Sequence, residues 1–234
     1  FGLTCFSRLK FSQYRENVHT ISPVGLTIPS AGLYYKQIDL ENIKNQNISI
    51  VAFENHKDFH PALIEKSLKK IAKSTEVVIV RQPDQKKNSD SSALAISFDE
   101  LNDFENYFYT IREKLSKDSS TVIFPAVLGL NHYIKVIRLA EKILNKKCFE
   151  APTLFPSIPA LRFNLDLEKE VIQKNSVYRN STLKTSVIKG NKCISVIDNF
   201  EKKYMANAFI VANGGILMGG VKVQSNGDMQ ERIF

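Results

Sequence analysis

The residues with the clearest chemical potential are Ala208-Phe209-Ile210-Val211-Ala212 followed by Asn213-Gly214-Gly215, with a second glycine pair at Gly219-Gly220. A continuous apolar run closed at one end by turn residues predicts a short strand, Ala208 to Ala212, covered on both faces. Paired glycines at its end let the backbone adopt φ > 0, or let a ligand approach where a Cβ would stand. Open α/β sheets bind ligands outside the carboxyl ends of their strands. Asn213, Gly214 and Gly215 are therefore the candidate ligand contacts. A tight turn that needs glycine for geometry alone is the other reading of the same residues.

Other reactive residue types are scattered. His60 and His132 each stand at the start of a predicted helix with no carboxylate assigned to them by spacing, so capping or surface roles are expected. Asp99 with Glu100 reads as a helix start. Cys5, Cys148 and Cys193 are far apart and form no CxxC pair, which signals neither a zinc nor an iron–sulfur site. Reduced thiols are the expected state. No Ser/His/Asp or Cys/His constellation is supported by spacing, so no catalytic residue is assigned and no metal site is expected.

The elements that must position these residues alternate. Ile48–Glu54 reads as a buried strand. Pro61 suits the first turn of a helix carrying Leu63, Ile64, Leu68 and Ile71. Val77–Val80 is the next strand, and the polar residues 82–92 read as an exposed loop. Ser97 or Asp99 is expected to cap one helix running to about Lys117, with Leu101, Phe104, Phe108, Ile111 and Leu115 as its apolar stripe. A third unit has Val122–Phe124 as strand, a turn through Gly129, and Tyr133 to Lys146 as helix. The fold class is α/β: a mostly parallel sheet with flanking helices, Rossmann-like.

After residue 150 the texture changes. Ala151–Pro159 holds three prolines and must be extended or turning. Pro159 is expected to open a helix carrying Leu161, Leu165, Leu167 and Ile172. Val177-Tyr178, Thr185–Ile188 and Cys193–Ile197 then predict a small antiparallel meander, with Lys189-Gly190-Asn191-Lys192 as a hairpin turn. This meander leads into the Gly-Gly strand. Three segments result: an irregular or hairpin segment 1–47, a strand–helix repeat domain 48–150, and a meander-containing region 151–234.

The 234 residues suffice for one large domain or two small ones. No apolar run is long enough to cross a bilayer, and Phe1–Lys10 lack the apolar core of a signal peptide. The chain opens on Phe1 rather than Met, and a fragment or processed chain is expected. The formal charge is +8, yet the lysines are spread along predicted helices without a dense block and interleaved aromatics. A solvated basic surface, and no nucleic-acid partner, is the expectation.

A helix, an antiparallel meander and a strand ending in Gly-Gly resemble the two-dinucleotide-fold flavoproteins, whose last strand commonly ends Ala-Thr-Gly-Gly; here it ends Ala212-Asn213-Gly214-Gly215. A closer resemblance rests on Phe124–Leu130, on Leu154–Pro159 with Arg162, and on the Gly-Gly turn followed by Gly219-Gly220-Val221. In this order and spacing they look like the B subunit of anaerobic glycerol-3-phosphate dehydrogenase. Ile21–Thr27 and Ile48–Phe53 also fit. That family begins with a Gly-rich dinucleotide fingerprint. No G-x-G-x-x-G occurs in this chain, so it is expected to be the central region of such a subunit.

The resemblance implies a flavin cofactor, FMN or FAD, that performs the redox chemistry while the protein supplies position and electrostatics. It implies oxidation of glycerol 3-phosphate to dihydroxyacetone phosphate, with electrons passing toward quinone. It implies a catalytic FAD subunit and an iron–sulfur, membrane-anchoring subunit as partners, with membrane contact only through them. The expected location is cytoplasmic, or the cytoplasmic face of the inner membrane. Arg162 becomes a candidate phosphate contact, because guanidinium matches phosphate geometry; an ion pair or helix cap is its alternative. Asn213, Gly214 and Gly215 would approach the flavin. A non-catalytic assembly subunit and a basic α/β module for a phosphorylated ligand are the competing functions.

Overall fold

The apolar runs at residues 48–53, 77–80 and 122–124 become neighbours in one parallel sheet. The computed structural model describes residues 11–83, 90–173, 181–210 and 221–231. The chain divides into two compact units, Phe1–Ser176 and Val177–Phe234.

The first unit opens with a hairpin, β1 (Phe11–Ile21) and β2 (Thr27–Tyr34), whose turn passes through Ser22 and Gly25. The sheet follows: β3 (Asn47–Phe53), helix α1 (Pro61–Leu68), β4 (Ser74–Val80), helices α2 (Ser91–Glu100) and α3 (Phe104–Lys114), β5 (Thr121–Pro125), helix α4 (Tyr133–Leu144), β6 (Lys147–Ala151) and helix α5 (Ile158–Gln173). Strand order is β4-β3-β5-β6, all parallel. Ile50 faces Val77 on one side and Ile123 on the other.

Period-2 alternation sends side chains to two cores. Val51, Phe53, Val122 and Phe124 face a layer with Leu94 and Phe98 of α2, Phe108 and Ile111 of α3, and Val136, Ile137 and Ala140 of α4. Ile48, Ile50, Ala52 and Ile123 face Ile21, Ile38, Ile43, and Ile64 and Leu68 of α1. Phe98, Tyr107, Phe108 and Phe124 form a chain of edge-on aromatic contacts, with centroids 5.8, 5.9 and 6.2 Å apart.

The expected fold class stands: a parallel sheet flanked by helices, with a separate small antiparallel sheet. Four details differ from the reading of the sequence. Lys147–Ala151 is a strand, masked in the sequence by the charged Lys147 and Glu150. The single helix expected from Ser97 or Asp99 to Lys117 is two helices. Asp90 and Asp103 are their caps, accepting from the amides of Ala93 (2.8 Å) and Asn106 (3.0 Å). Asp99 lies near the end of α2, so it starts no helix. Finally, residues 208–210 pair with no strand among the described residues, and Ile210 is 95% exposed. An apolar run becomes a strand only where a sheet edge receives it. The remainder of that expected strand, with Asn213, Gly214 and Gly215, lies outside the described residues, as do Val177 and Tyr178.

The second unit holds an antiparallel sheet, β7 (Leu183–Lys189), β8 (Lys192–Asp198) and β9 (Lys203–Met205), in that order. A further hairpin pairs β10 (Val221–Val223) with β11 (Met229–Glu231). The turn at Gly190-Asn191 falls where the sequence places it. Asp198 closes the β8–β9 turn, accepting from the amides of Phe200 (2.9 Å) and Lys202 (2.8 Å) and from the Tyr204 hydroxyl (2.7 Å).

Gly25 illustrates how the hairpin is seated. Its φ is +82°, a Cβ there would collide with the Leu63 carbonyl oxygen, and its own carbonyl accepts from the Ser67 hydroxyl of α1. Gly25→Ala should therefore lower stability by about 2 kcal/mol, through left-handed strain and displacement of α1. A urea titration of the full chain checks this, and an unchanged midpoint would contradict it.

Candidate functional site

Crossovers from β3 run one way to β4, and those from β5 run the other way to β6. The switch point between β3 and β5 is where an open α/β sheet offers a crevice at its carboxyl edge. Three segments meet this edge: residues 54–60 after β3, 126–132 after β5, and 152–157 after β6.

The turn after β5 leads into α4, so its amides form the kind of helix N-terminus that receives anions. In this chain they are already engaged. The Ala126 amide bonds the Ala151 carbonyl at 2.9 Å, and those of Val127 and Gly129 bond carbonyls within the turn. The Leu128 amide donates to Glu150 Oε1 at 3.0 Å. The amides of Leu130, Asn131 and His132 all donate to the Asp99 carboxylate, at 3.1, 2.8 and 2.9 Å. Asp99 thus holds the turn that leads into α4 from the end of α2. His132 makes no side-chain cap bond; its Nδ1 lies 3.7 Å from Asp99, a carboxylate neighbour that sequence spacing did not assign. Gly129 is required here: φ is +97°, and a Cβ would sit 2.8 Å from an Asp99 oxygen.

Arg162, on α5, is 2% exposed. Its Nη1 lies 2.5 Å from Glu150 Oε2 and its Nη2 3.2 Å from Oε1, a bidentate pair, while Nε donates to the Gly129 carbonyl at 2.8 Å. The guanidinium stacks 3.7 Å above the centre of the Tyr133 ring. Tyr133 in turn donates to the Tyr35 carbonyl, and the Tyr34 hydroxyl donates to Asp166 at 2.8 Å. Burial, and for Tyr34 also the Asp166 carboxylate, pushes both phenols well above their ordinary range, so they remain protonated. The structure therefore brings Arg162 and Gly129 together. It shows the ion pair that was the alternative for Arg162, and it joins them through Glu150, which no sequence spacing had singled out.

On the β3 side, His56 Nε2 lies 3.1 Å from the Ser91 hydroxyl at the start of α2. Asp58 accepts from the Ser91 amide at 2.7 Å, and its carbonyl accepts from Leu154 at 2.8 Å. This Ser–His contact is no hydrolytic triad. Ser91 is fully buried, His56 Nδ1 has no partner, and neither nearby Asp orients the imidazole. Burial lowers the His56 pKa to about 4 against the opposing pull of Asp58 and Asp90, so the ring is neutral near pH 7. The pair is 35 residues apart in sequence, beyond the reach of any spacing rule. His60 is exposed and makes no side-chain cap bond. Cys148 is buried with its thiol pushed far up, and is inert. Among the described residues, no group of His, Cys, Asp and Glu is placed to hold a metal ion.

The chain is similar to the B subunit of the anaerobic glycerol-3-phosphate dehydrogenase of Vibrio vulnificus (strain YJ016), with 23% identity over 233 residues. The match covers 92% of this chain and 52% of that protein, so the chain spans about half the length of this curated relative. The similarity supports a distant relationship. No family model matches the chain, and no solved structure matches it.

Two measurements test this geometry. Glu150→Gln leaves the Arg162 guanidinium buried without a countercharge and should cost about 3–5 kcal/mol of stability. The double variant Glu150→Leu/Arg162→Leu should lose less than the sum of the two single losses; additive denaturation energies would refute the coupling. His56 gives a pH signature. Its pKa is 6.5 in the unfolded chain and about 4 when folded, so the unfolded chain binds more protons between those values. Stability should be full above about pH 6.5, fall as pH drops toward 4 by on the order of 3 kcal/mol, and level off below. His56→Asn should flatten that part of the pH–stability curve; identical curves for the two chains would rule His56 out.

Proposed function

We propose that this chain is part of an oxidoreductase subunit of the flavin-dependent kind, related to the B subunit of anaerobic glycerol-3-phosphate dehydrogenase. The observation that carries the reading is the similarity to that protein along 92% of the chain, on a Rossmann-like sheet with a following antiparallel meander. In this reading the complete assembly oxidises glycerol 3-phosphate to dihydroxyacetone phosphate and passes electrons toward quinone. Its partners are a catalytic FAD subunit and an iron–sulfur subunit. Among the described residues no helix is long and apolar enough to cross a membrane; the proposal reaches the cytoplasmic membrane face through the iron–sulfur partner.

The turn after β5 does not favour a flavin phosphate: its amides at Leu128, Leu130, Asn131 and His132 are taken by Glu150 and Asp99. A phosphate at Arg162 would have to displace Glu150. The proposal therefore gives Arg162 the role of holding the Gly129 turn, and assigns FMN or FAD contact to Asn213, Gly214 and Gly215. No redox step is derived from the described residues.

The filled turn favours a second reading, a non-catalytic assembly subunit on the same fold. The two separate in one experiment: the visible absorbance spectrum of this chain and of the full-length gene product, each purified. Flavin bands in the full-length product, lost on Gly214→Val/Gly215→Val with the fold retained, are the expected result. A colourless full-length product would leave the assembly role.

A further inference from the structure

Helix α3 interleaves Glu105 and Glu113 with Arg112 and Lys114, and α1 carries Lys66, with Lys69 just past its end paired to Glu65 at 3.0 Å. On α4 the exposed positions Lys135, Arg138 and Lys142 are all cationic. Their spacing puts them on one stripe about 10 Å long, opposite the buried Tyr133, Val136, Ile137 and Ala140. The helix's acid, Glu141, is engaged by Lys36 at 2.6 Å and by the Cys148 amide at 3.1 Å. Among the described residues the three cations form no ion pair, and Arg138 lies over the Tyr35 ring, 5.9 Å from its centre. Half-buried Ile134 and Leu139 flank the stripe on either side, and these residues line one shallow groove with Asn131 and His132.

We propose that this face docks an acidic amphipathic helix from a partner protein, with carboxylates over Lys135, Arg138 and Lys142 and aliphatic side chains against Ile134 and Leu139. Charge complementarity selects the occupant. Three cations one helical turn apart match carboxylates at the same spacing on a second helix. A nucleic-acid strand uses a groove with stacking aromatics, and a membrane surface takes a continuous apolar face with bulky side chains inserted; α4 has neither. The inference goes beyond the proposed redox role and does not depend on flavin.

The test uses the full chain and a labelled synthetic helix bearing glutamates at spacings of three, four and seven, flanked by leucines. A scrambled peptide of the same composition, phosphatidylglycerol vesicles and a single-stranded oligonucleotide serve as comparators. The patterned peptide should bind with salt-sensitive affinity, and K135E/R138E/K142E should weaken it by roughly tenfold or more. The neutral variant K135Q/R138Q/K142Q, checked for an unchanged melting temperature, should show an intermediate loss. Absence of peptide binding, equal binding by the scrambled peptide or the folded variants, or tighter capture by vesicles or oligonucleotide would overturn the proposal.

Discussion

The bidentate contact between Arg162 and Glu150 is the constraint on which the carboxyl edge of the sheet depends. It joins three elements that are separate in sequence: β6, which carries Glu150; α5, which carries Arg162; and the turn after β5, whose Gly129 carbonyl and Leu128 amide are held by the same two side chains. Burying two charges costs several kcal/mol per ion, and their attraction in the interior roughly offsets that cost when geometry is good and remaining hydrogen-bonding capacity is filled. Here each guanidinium nitrogen has an acceptor, and Tyr133 covers the guanidinium face. Net stabilisation is therefore modest, and the pair's main contribution is geometric. An apolar substitute could fill the space but could not fix the position of a backbone carbonyl and an amide together.

Asp99 acts in the same way from the opposite side of the turn. Its carboxylate lies beside the turn that enters α4, and the three consecutive amides just before the helix converge on it. The interaction is favourable for the reasons that favour phosphate at helix N-termini: unsatisfied amides and the positive end of the helix dipole. A side chain, however, brings its anion permanently and without the entropy cost of binding a free ligand. With Asp99 and Glu150 in place, the chain supplies both counterions for its own turn. The open parallel sheet is thus retained while the turn after its central strand β5 is satisfied internally.

Much of the fold was legible from residue type. β3 and β5 announce themselves as apolar runs because both of their faces are covered, and β4 shows such a run although Ile79 is exposed. Pro61 and Pro159 mark helix starts correctly because a missing N–H costs nothing there. β6 was not legible, since its Glu150 looks out of place in a buried strand until Arg162 is known. The break between α2 and α3 was hidden because Leu101, Phe104 and Phe108 keep an unbroken apolar spacing across it. The site was less accessible still. Arg162 was recognisable as an unusual residue, but its partners come from positions 129, 133 and 150, which only the folded chain assembles. Asp99 reads locally as a cap for the residues that follow it, and it holds the turn before a helix more than thirty residues later instead.

The segment that follows the hairpin has a role beyond linking β2 to β3. Gln37 bridges to Glu150 in parallel register; the Glu150 amide donates to the Lys36 carbonyl, and the Ile38 amide to the Glu150 carbonyl, both at 2.9 Å. The outer rim of β6 is thereby closed by chain from the opposite end of the unit. At the other rim, β4, the carbonyls of Ile79 and Arg81 accept from the Lys114 and Tyr107 side chains of α3. Unpaired strand rims are templates for unwanted association, and both are blunted here without an extra strand. The two closures differ in timing. The β4 rim is covered by residues about thirty positions away, whereas the β6 rim waits for a contact spanning more than a hundred, whose loop-closure entropy must be met first. The closing of the β6 rim by residues 36–38 therefore carries the larger loop-closure cost, and it covers the same strand that carries Glu150.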